Sequence, residues 1–207
     1  MWRTLYTGPM FAGKTTALIE HANFAVRNVI YENKDILFLR PERDTRSDKM
    51  VTHDGKYSVD AKYFESASDL ISILAIESKS PRVIAIDELQ FIDFSDEQKL
   101  SFFMNPFLYN SSTELIVAGL NRDHFGAPYS VIDAIWKDAM SAEQSYAKFR
   151  YVQLHADCNK CGRPAHQTQW VSPEPYGPDT CVGGSDKYEA RCSVCFEEYN
   201  VDSCATV

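Results

Sequence analysis

The sequence predicts an α/β fold, a parallel sheet with helices on both faces, followed by a small β-rich C-terminal domain that carries a long loop. Three observations lead there. A glycine-rich loop, Gly8-Pro9-Met10-Phe11-Ala12-Gly13-Lys14-Thr15, joins an apolar stretch to a helical pattern. Continuous β-branched runs recur between segments of helical periodicity, as in sheets buried on both faces. From about Phe149 that periodicity disappears, Pro and Gly rise, and cysteines cluster. The change sets the expected domains at 1–148 and 149–207.

Trp2 to Thr7 reads as a buried strand, and Lys14 to Val26 as a helix with Leu18, Ile19 and Ala22 on one face. The loop between them fits G-x-x-x-x-G-K-[ST] in its required context of strand before and helix after. Glycines let consecutive backbone N–H groups turn inward around an anion, and the helix N-terminus adds partial positive charge. In such a loop Lys14 reaches the β- and γ-phosphates, and the Thr15 hydroxyl holds Mg²⁺. A nucleoside triphosphate is therefore the expected ligand, with Gly8 to Thr15 as its phosphate-binding residues.

Asp35 to Arg40 is a buried-strand pattern ending at Pro41, and Tyr57 to Phe64 a weaker one. Ser66-Ala67-Ser68-Asp69 is a capping-box signature opening a helix with Leu70, Ile73, Leu74 and Glu77, stopped by Pro81. Arg82 to Asp87 and Glu114 to Gly119 are core strands. Ligands of parallel sheets bind beyond the carboxyl ends of the strands, so the loop, Asp87 and Leu120 are expected to share one crevice.

Asp87 follows four apolar strand residues, the pattern of a carboxylate that orders Mg²⁺. Glu88 is next, and neighbouring strand residues point to opposite sides. One carboxylate then faces the metal and the other the acceptor, where Glu88 is placed to take a proton. Attack by water and attack by a substrate hydroxyl are equally compatible with this pair.

Cys158-Asn159-Lys160-Cys161 and Cys192-Ser193-Val194-Cys195 are two C-x-x-C pairs separated by 30 residues. Either pair alone also suits a redox dithiol. Together they complete a four-thiolate zinc shell with no open position, the structural kind. The gap exceeds the spacing of about 15–20 residues in a compact ribbon, so a loop is extruded between the pairs, from about Trp170 to Lys187. Fastening both ends removes closure entropy and favours an ordered, functional loop over a surface linker. Val182-Gly183-Gly184-Ser185-Asp186-Lys187-Tyr188 sets an aromatic beside paired glycines, which suits a planar ligand. Cys181 and Cys204 read as ordinary small apolar side chains.

Composition narrows the classes. The chain has 207 residues, 44% of them hydrophobic, and a formal net charge of −8 with no Lys/Arg cluster. A polynucleotide-binding surface is usually basic, so nucleic acid is not an expected partner. The apolar runs fall far short of the roughly 18 residues of a membrane span. The chain enters its first strand at once, so no secretory leader is expected. Six cysteines without a leader point to a reducing compartment, hence a cytoplasmic location, and to metal rather than disulfides.

The ordered set G-P-M-F-A-G-K-T, T-H-D-G (Thr52 to Gly55), D-E-L-Q-F (Asp87 to Phe91), G-L-N-R-D-H-F-G (Gly119 to Gly126), C-N-K-C, V-G-G-S-D-K-Y and C-S-V-C resembles the zinc-containing type II thymidine kinases of vertebrates, many bacteria and large DNA viruses. The resemblance implies transfer of the ATP γ-phosphate to the 5′-hydroxyl of thymidine with Mg²⁺. It makes Glu88 the general base, with Asp87 and Gln90 near metal and phosphates. Asp44 and Arg46 match positions near the phosphates, where Arg46 would stabilise developing charge. The loop between the cysteine pairs would be the family's lasso, closing over the thymine. Tyr188 would pack on the nucleoside beside Thr168, Val182 and Gly183, with Cys181 adjoining. Met10, Phe91, Leu120, Phe125 and Tyr129 match apolar positions of the nucleoside pocket. A homotetramer, feedback-inhibited by thymidine triphosphate in the substrate site, is the implied assembly.

Leu89 stands where glycine is common in D-E-G-Q-F, Asn121 and Arg122 where an acidic and a small residue are frequent, and Tyr129 where Phe is common. These departures bear on substrate choice rather than on the reaction. His53 is expected to stabilise its loop, Asp123 to hold a turn, and His124, His155 and His166 to be surface or core polar residues. A nucleotide hydrolase with a zinc ribbon for partner binding is the main alternative. A silent nucleotide-binding module would require loss of Lys14, Asp87 or Glu88, all present.

Overall fold

A computed structural model describes residues 2–27, 36–44, 48–77, 81–98, 113–140, 148–173 and 182–197. The first strand, β1 (Trp2–Gly8), leads through the loop into helix α1 (Lys14–Arg27). Strand β2 (Ile36–Pro41) is followed by a small hairpin of β3 (Met50–Val51) and β4 (Ser58–Val59), then by β5 (Lys62–Phe64). Helix α2 (Ala67–Glu77) precedes β6 (Val83–Ile86), and β7 (Glu114–Leu120) precedes helix α3 (Ser130–Met140). The strand β8 (Lys148–Gln153) comes next.

Six of these strands form one sheet in the order β5-β2-β6-β7-β1-β8, and every neighbouring pair is parallel. Its last strand, β8, comes from the far side of the composition change at Phe149. Alternation along the strands builds two cores. Ile84 and Ile86 join Leu5, Leu39, Leu115 and Val117 beneath α2 and α3, which contribute Leu70, Leu74, Val131, Ile132 and Ile135. Val83 and Ala85 face the other way, with Ile116 and Ala118, onto Leu18, Ile19, Ala22 and Val26 of α1. Burial on both faces is why β6 and β7 read as unbroken apolar runs.

Two local readings are refined. Ser66 caps α2 as expected, its Oγ accepting from the Asp69 N–H at 3.1 Å. Asp69 answers one residue earlier than a full box, accepting from the Glu65 N–H at 3.1 Å. Tyr57 to Phe64, expected as one strand, is two. The Thr52–Tyr57 turn is closed by Thr52 Oγ1 on Asp54 Oδ1 (2.6 Å) and by the Tyr57 N–H on Thr52 Oγ1 (3.0 Å). That turn recruits Ser58–Val59 into an antiparallel pair with β3, and only Lys62–Phe64 is left for the main sheet.

Beyond Gln153 lie four short strands, β9 (Ala156–Asp157), β10 (Pro164–Ala165), β11 (Gln167–Trp170) and β12 (Tyr188–Arg191), paired antiparallel as β9–β10 and β11–β12. No helix among the described residues is long and apolar enough to cross a membrane.

Candidate active site

The loop after β1 adopts a backbone that few residue types tolerate. Gly8 has φ +149°, and a Cβ there would lie 2.4 Å from the Leu154 carbonyl oxygen. Phe11, although not glycine, is left-handed at φ +65°, a conformation that persists only where surroundings enforce it. The His53 ring, from the Thr52–Tyr57 turn, meets the Phe11 ring edge-on at 4.9 Å. Lys14 is buried at the start of α1, and its ammonium donates across the loop to the Pro9 carbonyl at 2.7 Å. The Thr15 hydroxyl donates to Asp87 Oδ2 at 2.7 Å, joining the loop to the end of β6.

The two carboxylates diverge, for a different reason from strand alternation. Strand β6 ends at Ile86, and Glu88 is left-handed at φ 53°, ψ 38°, opening a single 3-10 turn over Leu89–Phe91. The bend turns Asp87 towards Thr15, while the Glu88 N–H donates to Asp87 Oδ1 at 3.0 Å. Glu88 Oε2 accepts from the Gln90 amide, whose Oε1 accepts from the Leu120 N–H at 3.0 Å. Leu89 is fully buried in the core, which accounts for a large side chain at that position.

One cavity of about 470 Å³, a size typical of small-molecule sites, brings many of these groups together. Its wall includes Met10, Phe11 and Gly13 to Thr16, Arg40, Asp44, Lys49 and Thr52 to Asp54. Asp87 and Glu88 belong to the same wall, with Phe91, Leu120, His124, Tyr129, Gly183, Gly184 and Tyr188. Thr168 is buried and accepts from the Met10 N–H at 3.0 Å, so β11 is tied to the phosphate loop. Val182 is half-buried beside the wall. Arg46, Cys181 and Cys204 lie outside the described residues.

The four paired cysteines come together, all sulfurs lying within 4.8 Å of one another. The Cys161 and Cys192 sulfurs are 3.7 Å apart. That is far beyond a disulfide bond and close to the edge of a tetrahedron with Zn–S of about 2.3 Å. Each pair forms a knuckle: the Gly162 and Phe196 N–H groups donate to the Cys158 and Cys192 carbonyls at 2.8 and 2.9 Å. The Arg163 guanidinium donates to Cys161 Sγ at 3.3 Å and holds that thiol down at about 6. A hydrogen bond to Cys161, aided by burial, pushes Cys195 up to about 12. Four adjacent thiols therefore do not all ionise by themselves, and a dication bound among them would supply the missing charge. The donor set fits zinc. This module packs on the phosphate loop, Phe11 and Ala12 lying against Ala156, Cys158, Ala165, Ala190 and Cys192.

The thymidine kinase family model matches residues 1–196. The thymidine kinase of Pyrobaculum aerophilum is 34% identical over 191 residues, covering 89% of this chain and 92% of its own. That of Coprothermobacter proteolyticus is 32% identical, covering 93% and 89%, and that of Mycoplasma mycoides 31%, covering 94% and 88%. The chain belongs to the thymidine kinase family.

Among the described residues expected at the site of this family member, Gly8, Pro9, Ala12, Gln90, Phe125, Thr168 and Val182 are not part of the cavity wall. Phe125 is 41% exposed and absent from the cavity wall, whereas its neighbour His124 is 3% exposed and lines it. The His124 ring lies 5.4 Å from Trp170 and 6.0 Å from Tyr188, inside an aromatic cluster. The turn decides this: Asp123 Oδ1 accepts from the Phe125 and Ala127 N–H groups at 2.9 and 2.8 Å, as expected of a turn residue, and so rotates 124 inward. Gln90 sits behind Glu88, outside the cavity wall. Arg40 was not anticipated. It is buried at the end of β2, ion-paired to Asp44 at 2.9 Å, and also donates to the Asp44 and Lys49 carbonyls. A charged residue closing an apolar strand run, just before P-E-R-D, was the available signal.

Proposed function

We propose that the protein is a thymidine kinase, transferring the γ-phosphate of ATP to the 5′-hydroxyl of thymidine to give dTMP and ADP. The observation that carries this reading is one cavity whose wall combines phosphate-loop residues, Glu88 and a set of aromatic side chains. The reaction balances simply. The 5′-oxygen bonds to the γ-phosphorus, the bond to the β,γ-bridging oxygen breaks, and the hydroxyl proton passes to Glu88.

Gly8 to Thr15 bind the phosphates, with Asp44 and Arg46 nearby. Thr15 and Asp87, already in contact, are suited to hold Mg²⁺, which when bound neutralises phosphate charge. Met10, Phe91, Leu120, Tyr129, Thr168, Val182, Gly183 and Tyr188 form the nucleoside end, and the four cysteines hold zinc. His124 joins this set. His124→Ala is expected to raise the thymidine KM by about tenfold, the scale of one lost aromatic contact. The ATP KM should stay put, and Phe125→Ala should change the thymidine KM less than about twofold. Equal effects of the two substitutions on steady-state kinetics would count against His124.

A pocket of this kind discriminates a single methyl by only about 1–3 kcal/mol, so deoxyuridine is expected as a poorer substrate. Feedback by thymidine triphosphate, a homotetramer and a cytoplasmic location complete the reading. They are supported by the motif resemblance, by ATP being the phosphoryl donor and by the reduced four-cysteine site.

The test is ADP release from ATP and Mg²⁺ with and without thymidine. Thymidine should stimulate release at least about 100-fold, in keeping with a site completed by its acceptor, and ³¹P NMR should show a 5′-monophosphate. Release indifferent to thymidine would point instead to a hydrolase.

A further inference from the structure

We infer that Gln90 is a positioning residue, orienting the Glu88 carboxylate and coupling it to the nucleoside wall through Leu120, and that it does not bind the ATP phosphates. The inference rests on Glu88 being the base of the proposed transfer. Gln90 is 3% exposed and no part of the cavity wall, so its amide has no access to a phosphate at the loop. Its orientation follows from its partners. A backbone N–H only donates, so the oxygen must face Leu120, and the amide nitrogen is left for Glu88, which accepts when ionised. Gly119 lets the amide sit close to β7: a Cβ there would lie 3.0 Å from Gln90 Oε1 and 2.7 Å from Ile132 Cδ1.

The contacts extend into a continuous chain. Thr15 donates to Asp87, the Glu88 N–H donates to Asp87, Gln90 donates to Glu88, and Leu120 donates to Gln90. Phosphate loop, base and nucleoside wall are thus linked by four hydrogen bonds. Glu88 is also left-handed, a conformation that surroundings must impose, and Gln90 holds its far end. The Gln90 amide therefore fixes the direction in which the Glu88 carboxylate points.

The experiment compares wild type, Gln90→Met and Gln90→Glu by kcat, both KM values and ATP affinity by calorimetry. Gln90→Met is expected to lower kcat by roughly tenfold or more, with the ATP KM within about twofold. Gln90→Glu keeps the acceptor for Leu120 but removes the donor to Glu88, so its kcat should fall at least as far while the ATP KM stays put. If Gln90→Met loses ATP binding through misfolding, the near-isosteric Gln90→Glu decides alone. A raised ATP KM with kcat unchanged, or no change in either variant, overturns the inference. Absence of thymidine-dependent transfer in the wild type would instead defeat the functional reading, independently of Gln90.

Discussion

Glu88→Gln is expected to lower kcat by roughly 10²–10⁴-fold, the usual contribution of a positioned general base. The substitution keeps the size of the side chain and an acceptor for Gln90, so the left-handed turn at 88 and the wall behind it need not move. The bond between Thr15 of the phosphate loop and Asp87 is left in place, and ATP affinity by calorimetry is expected to stay within about twofold. Turnover within tenfold of wild type would remove Glu88 from its role. Loss of ATP binding would show that the carboxylate supports the loop instead of the chemistry.

Removing zinc is expected to have the second large effect, and a wider one than its distance from the reacting atoms suggests. Structural zinc sites contribute folding energy directly. A loss of about 5 kcal/mol corresponds to a Tm drop of roughly 10–20 °C for a chain of this size. Elemental analysis is expected to find about one zinc per chain in the wild type and none in Cys161→Ser or Cys192→Ser, and both KM values should rise. Gly183, Gly184 and Tyr188 of the cavity wall lie between the knuckles. The phosphate loop leans on the same module, because Phe11 and Ala12 pack on it and Met10 is bonded to Thr168. Purified wild type without zinc, or a cysteine variant with unchanged Tm, would contradict this.

Much of the architecture was legible because its signals are local. Gly8 to Thr15, the apolar run into Asp87 and the two C-x-x-C pairs each follow from constraints within a few residues: a backbone that must approach an anion, a strand buried on both faces, a knuckle that presents two thiols. The misreadings share a different character. Tyr57 to Phe64 looked like one strand because its pattern is continuous; the Thr52–Tyr57 turn splits it by offering Ser58 and Val59 a nearer partner. Phe125 was matched by resemblance to an apolar pocket position, yet hydrogen bonds to Asp123 turn its neighbour His124 into the cavity wall. A motif match places a residue within a turn but does not orient the turn.

The sequence by itself determined the class of fold, the glycine loop between strand and helix, the adjacent carboxylates Asp87 and Glu88, and the four cysteines that come together. The tertiary structure alone decided how those parts face one another. It bent the chain at Glu88 so that the two carboxylates part, put Gln90 between Glu88 and Leu120, turned His124 rather than Phe125 into the cavity wall, and set the cysteine module against Phe11 and Ala12. The reason is physical. Motif chemistry is carried by residues adjacent in the chain, whereas side-chain direction is settled by contacts between distant segments, such as Met10 with Thr168, 158 positions apart.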